Sequence, residues 1–270
     1  MSIMLSDRDI AFYKETGYLR IPDVFPPGEL DNLESNLKFM MDEWAITEIG
    51  WTGPWRKEYM DEETEKKSRL TSLHDLQFYS EAWMRAVAKP ELVEAIAGLL
   101  DSPNVELHHT TLHAKPPESG HPFPMHQDNA FYEHADGRYI DVLVHLDDTC
   151  HANGEIRFLR GSHRAGALPH ITVTPEGGPC TPHLNTREYR LEDTEPVPAK
   201  RGDVVCFNIF TVHGSYINTT DKVRRLVRCG YRDPLNRQLA GQSLGRPGIM
   251  VKGRRPRATE SAPLTNEVVV

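Results

Sequence analysis

Along this chain the spacing of apolar residues shifts from helical to strand-like near residue 105. Ser6 is placed to cap a helix over Asp7 to Thr16, since Asp7 and Asp9 suit its positive start and Gly17 ends it. Tyr18 to Ile21 reads as a short strand stopped by Pro22. Pro26-Pro27-Gly28-Glu29 opens a second helix to about Trp44, with Leu30, Leu33, Leu37 and Met40 or Met41 on one stripe. Ile46 to Lys67 has no clean period. Its Trp51, Trp55 and Tyr59 stand among Gly, Pro and charges, which suits either a lid over a pocket or packing against the core. Leu76 to Leu100 is helical again, broken at Pro90.

Five segments then carry strand patterns: Val105 to Lys115, Tyr139 to Leu146, Glu155 to Leu159, Val204 to Val212 and Val223 to Tyr231. In the second, Ile140, Val142, Val144 and Leu146 make one apolar face and leave Asp141, Leu143 and His145 on the other. In the last, Val223, Val227 and Cys229 share a face, Arg224, Leu226 and Arg228 share the opposite one, and Arg225 is a misfit. Strands apolar outside and polar inside, behind helices, predict a mainly β jelly roll or barrel with flanking helices. The last two strands are expected to pair as a hairpin, and Gly161 to Lys200 to be a covering loop. One domain over 1–253 is expected, with 1–104 as a mostly helical buttress, 105–253 as the β core, and a loose tail over 254–270.

Composition narrows the classes. The 270 residues are 39% hydrophobic and 26% charged, as in soluble globular proteins, and no apolar run approaches the ~20 residues needed to cross a bilayer. Met1 to Asp9 lacks the features of a signal peptide, so a cytoplasmic location is expected. A net charge of -8 argues against a nucleic-acid partner, and Lys252 to Arg257 reads as a solvated tail. The four cysteines are too scattered for a zinc knuckle or a redox pair.

Candidate chemistry centres on His126-Gln127-Asp128. In extended chain, residues i and i+2 face the same way, so an imidazole and a carboxylate converge. They are two thirds of a facial metal triad of the kind that serves non-heme iron(II). His213, where the strand Val204 to Val212 ends, is the third candidate. An inward Arg224 is costly without an anion, which could be a bound carboxylate or an internal acid such as Asp141.

With these residues, and with Phe12 to Leu19 at the start, the chain resembles the phytanoyl-CoA dioxygenase family of iron(II)- and 2-oxoglutarate-dependent oxygenases. The resemblance implies a double-stranded β-helix, Fe(II), and 2-oxoglutarate and dioxygen as co-substrates. It implies His126, Asp128 and His213 as iron ligands, Arg224 and Ser215 as contacts to the 2-oxoglutarate carboxylate, and His113 as a further co-substrate contact; Thr111, by its position on the inward face, is another candidate co-substrate contact. His109, Phe123, Tyr132, Phe207 and Arg228 are candidate substrate residues, with Arg228 hinting at an anionic or polar group. Asp128 stands where halogenating relatives carry a small residue, so oxygenation is expected. The expected partner is a small molecule, hydroxylated at a C–H; epimerisation, desaturation or ring formation with the same cofactors, a cupin-like enzyme without 2-oxoglutarate, and a non-catalytic jelly-roll module are the rival readings. Oligomeric state stays open.

Overall fold

The structure is a computed structural model that describes residues 5–257. Its large antiparallel sheet runs in the order Tyr18–Ile21, Val204–Asn208, Tyr139–His145, Arg224–Arg232, Val105–Lys115, Leu70–His74, Ile46–Glu48, with Ile249–Lys252 also on Val105–Lys115. A smaller sheet, ordered Glu195–Pro196, Arg157–Phe158, His213–Ser215, Phe123–His126, completes the jelly roll.

The helices form where the pattern placed them. Ser6 caps Asp7–Thr16 by accepting from the Asp9 amide at 3.2 Å, and Gly17 ends it at φ +86°. Pro90 begins its own helix, Pro90–Leu100, after Glu81–Val87. Leu30, Leu33 and Leu37 of Pro27–Trp44, with Trp83, Leu92 and Ile96, bury the outer face of the large sheet against Ile140, Val142, Val144, Val227 and Cys229. Burying each large aliphatic side chain contributes about 1.5–3 kcal/mol before chain entropy is set against it. Between the sheets lie Tyr18, Leu143, Phe158, Val205, Phe207 and Leu226. The alternation read along Tyr139 to Leu146 therefore does sort the helix-facing side from the interior.

Five expectations change. The last two long strands are not hairpin neighbours, because Tyr139–His145 lies between Val204–Asn208 and Arg224–Arg232. The apolar run 204–212 is broken after Asn208, whose side-chain oxygen accepts from the Phe210 amide at 3.0 Å and turns the chain out of the large sheet. His213 then starts a strand of the small sheet. The irregular segment after Ile46 contributes an edge strand and, with Leu70–His74, extends the large sheet. The covering loop holds a hairpin of Ile171–Val173 and Pro179–His183. The basic run is not wholly solvated: Lys252 pairs with Glu94 and Arg255 with the buried Glu106. The rest of the expected tail, 258–270, lies outside the described residues. Arg225, the misfit, reaches Asp147 at 2.7 Å and Glu34 of the second helix at 3.0 Å. The four cysteines are free, with Cys180, Cys206 and Cys229 buried.

Candidate active site

The triad forms at one edge of the small sheet. His126 ends the strand Phe123–His126, and His213 stands opposite it in register on the neighbouring strand. Gln127 is extended at φ -111°, ψ 138°, so Asp128 turns back to the face of His126 before the chain enters a tight turn. Gln127 itself points away and pins two loops, donating to the Gly166 and Phe210 carbonyls and accepting from the Leu168 amide. The donor atoms of His126, Asp128 and His213 all lie within 4.8 Å of one another, buried, and form the one such cluster found among the described residues.

The imidazoles are set for coordination. Nδ1 of His126 lies 2.7 Å from the Pro124 carbonyl and Nδ1 of His213 lies 2.9 Å from that of Thr211, a pairing that assigns the proton to Nδ1 and leaves each Nε2 free. Both Nε2 atoms face Asp128 Oδ1, at 3.4 and 3.7 Å. Burial and the neighbouring His126 push the His213 imidazole down to about 3, which keeps it neutral. Burial alone would raise the Asp128 carboxyl, but Arg228 and the two imidazoles outweigh it and hold it well below the usual range. A neutral-imidazole, anionic-carboxylate set is what a divalent metal takes.

Arg224 on the pocket wall has a second buried cation beside it. Arg224 and Lys115 are register partners on adjacent strands, and both are fully buried. Arg224 donates to the Gly154 carbonyl at 3.4 Å, while its Nε and Nη1 have no partner. Lys115 donates to Ser215 Oγ at 2.7 Å and to the Tyr216 carbonyl. Burial pushes both cations down, Arg224 to about 10, and the neighbouring Arg224 lowers Lys115 further. No carboxylate among the described residues pairs with Arg224, and Asp141 instead lies beside Arg228, 3.8 Å from its Nε. Gly154 makes this wall possible: it sits at φ +75°, and a Cβ there would collide with the Tyr216 carbonyl and come within 2.7 Å of Lys115 Nζ.

The pocket is a narrow cavity of about 40 Å³, lined by the triad, Arg224, Ser215, Arg228 and a mainly apolar set that includes Trp51, Phe123, Leu143 and Phe207. Trp51 stacks edge-on over His126 at 4.6 Å, held by its amide on His121 and by Arg56 donating to its carbonyl. The aromatic segment after Ile46 thus serves both readings, since Trp51 covers the site while Trp55 is buried. His113 lies on the wall, its ring 5.3 Å from that of Phe123. Thr111 and His109 do not: Thr111 bonds to His74, and His109 faces a separate cleft with His74 and Gln242 while touching Arg228 at 3.2 Å. Tyr132 lies behind Arg228, in reach of Asp141 at 2.9 Å. Sequence reasoning missed Lys115, though it follows His113 and Thr111 on the inward parity of one strand.

A family model described as Phytanoyl-CoA dioxygenase matches residues 13–226. The chain belongs to that family. Among its relatives is a probable alpha-ketoglutarate-dependent hypophosphite dioxygenase of Stutzerimonas stutzeri, 29% identical over 81% of this chain and 76% of the relative. The peroxisomal phytanoyl-CoA dioxygenase of Rattus norvegicus is 25% identical over 84% of this chain and 68% of its own. Solved structures share the fold. The alpha-ketoglutarate-dependent carbocyclase SnoK of nogalamycin biosynthesis superposes with a TM-score of 0.72 at 20% identity, covering 93% of this chain and 94% of its own. EctD from S. alaskensis, solved with 2-oxoglutarate and 5-hydroxyectoine, gives 0.65 at 22% identity, covering 97% and 89%.

As a member of the phytanoyl-CoA dioxygenase family, the protein is an Fe(II)- and 2-oxoglutarate-dependent enzyme. Its residues fit both groups. The triad offers two free imidazole nitrogens and one carboxylate oxygen, and the unpartnered Arg224 Nε and Nη1 beside Lys115 and Ser215 form a cradle that a carboxylate would complete.

Proposed function

We propose that this dioxygenase hydroxylates a C–H bond of a free small molecule, an intermediate of specialised metabolism, and that His126, Asp128 and His213 hold the iron while Arg224, Lys115 and Ser215 hold the distal carboxylate of 2-oxoglutarate. The observation that carries the reading is the intact carboxylate of Asp128 in a buried triad, next to a pocket wall where Arg224 lacks an anion. Bound iron and 2-oxoglutarate supply the dioxygen-activating oxidation chemistry.

The protein's own part is positioning and exclusion. Trp51, Phe123 and Phe207 pack around the triad, and Phe207 lies 4.6 Å from the His213 ring, so water is kept from the reacting face. His113, neutral because burial and Arg228 push it well below its ordinary value, offers a hydrogen bond without a charge. These apolar walls favour a compact substrate over a nucleic acid, as does the net charge. No described helix is long and apolar enough to cross a membrane.

The experiment is turnover under isotopically labelled dioxygen with a panel of small metabolites, read first as substrate-stimulated succinate. Hydroxylation puts one labelled oxygen into the product and the other into succinate. The second reading keeps the cofactors and changes the outcome, and is favoured by fold neighbours described as a carbocyclase and an epimerase; it would leave the product unlabelled.

A further inference from the structure

Given iron in the triad, as proposed above, we propose that Arg228 is a positioning residue that confines Asp128 to a single oxygen on the metal. The two oxygens of Asp128 face different ways. Oδ1 looks at both free imidazole nitrogens, and Oδ2 receives Arg228 Nη1 at 2.9 Å. Arg228 arrives from the opposite sheet, on the strand Arg224–Arg232, and so bridges the interior of the jelly roll.

The guanidinium is itself held. Nη1 also lies 2.7 Å from the Tyr132 hydroxyl, Nη2 lies 3.2 Å from His109 Nε2, and the group sits 5.0 Å from the Tyr132 ring centroid. Tyr132 in turn donates to Asp141 at 2.9 Å. Two arginines on one inward face therefore have opposite situations. Arg224 leaves two nitrogens open to the pocket, whereas Arg228 has both terminal nitrogens engaged by the protein.

The consequence is in the count of open positions. Three donors on one face of a six-coordinate metal leave three positions, which two 2-oxoglutarate atoms and dioxygen would fill. A second oxygen from Asp128 would take one of them. Rotating Oδ2 onto the metal would break a buried charge-assisted hydrogen bond and leave Arg228 without its carboxylate, so the bond keeps the position free.

The test compares wild type with Arg228→Met and Arg228→Lys, anaerobically. Metal binding to the apoprotein is read from tryptophan fluorescence with Fe(II) alone, and co-substrate binding from the visible charge-transfer band of the Fe(II)-loaded protein with 2-oxoglutarate. In Arg228→Met, metal affinity should change by less than about threefold, while the Kd for 2-oxoglutarate rises about tenfold, the weight of one charge-assisted hydrogen bond, and the band weakens. Arg228→Lys should restore part of both. A wild-type band and affinity in Arg228→Met would overturn the assignment, whereas a wild type with no band would instead remove the iron and 2-oxoglutarate reading beneath it. If both variants fail to fold, a crystal structure of the wild type with Co(II) and 2-oxoglutarate decides. Asp128 bound through Oδ1 alone, with Oδ2 on Arg228, supports the proposal, and two-oxygen binding overturns it.

Discussion

Burying a guanidinium and an ammonium side by side with no anion is unfavourable, and Arg224 with Lys115 is such a pair. The arrangement is intelligible if a carboxylate completes it. Arg224→Ala should therefore raise the Kd for 2-oxoglutarate by about 10- to 100-fold, as expected for loss of a two-point charged contact, and leave Fe(II) affinity near wild type; titration of both ligands checks this. Lys115→Met should weaken 2-oxoglutarate in the same direction without lowering the thermal midpoint of the apoprotein, because the charge it removes lacks a counter-ion there. A Lys115→Met apoprotein that melts well below wild type would mean that the amine serves packing and the Tyr216 and Ser215 bonds instead. At this scale the sequence showed Arg224, which shares the inward face of its strand with Leu226 and Arg228, but not Lys115, whose place at a strand end beside Pro116 reads as surface.

The elements show why some of the site was legible and some was not. His126 and Asp128 follow from local geometry, since one extended residue between them is enough to align them. Pairing across the fold does not follow from local pattern. The run 204–212 is nearly continuously apolar, yet the chain leaves one sheet after Asn208 and joins the other at His213, a change set by the Asn208 turn and not by the apolar residues around it. His213 and Arg224 consequently face each other from different sheets, which a hairpin would not allow. Gly154 is the element-scale test of the wall at the buried Arg224 and Lys115 pair. Gly154→Ala places a Cβ against the Tyr216 carbonyl in a left-handed conformation, so it should cost roughly 1–2 kcal/mol for the backbone alone and should also displace Lys115. Denaturant unfolding and 2-oxoglutarate titration measure the two effects, and an alanine variant with both unchanged would show that the wall has room to relax.

For the whole molecule, acid should be a destabilising condition before carboxylates of ordinary pKa titrate. Burial pushes His108 down to about 3 and His134, His145 and His170 to about 4. Each takes up its proton near pH 6.5 in the unfolded chain and only near 3 to 4 when folded. Stability from these groups is thus complete above pH 6.5 and is lost as pH falls from there toward 4. Asp141, which burial and Asp128 hold well above the ordinary carboxyl range, works in the opposite sense, but it is one group against four. Denaturation midpoints at pH 7.5, 6 and 5 should fall in that order, and a flat profile would contradict the burial of these imidazoles. The global layout, helices behind a sheet with a polar inner face, was readable because burial imposes periods of 3.6 and 2 on the sequence; strand order was not, because it is set by loops that carry no such period. The central claim, a triad that holds iron beside a cradle that holds 2-oxoglutarate, is tested most directly by anaerobic titration of the wild type with Fe(II) and then 2-oxoglutarate. A visible charge-transfer band that saturates at one equivalent, is absent in His126→Ala and needs far more 2-oxoglutarate in Arg224→Ala is the predicted result. Stoichiometric iron binding with no band on adding 2-oxoglutarate would contradict it.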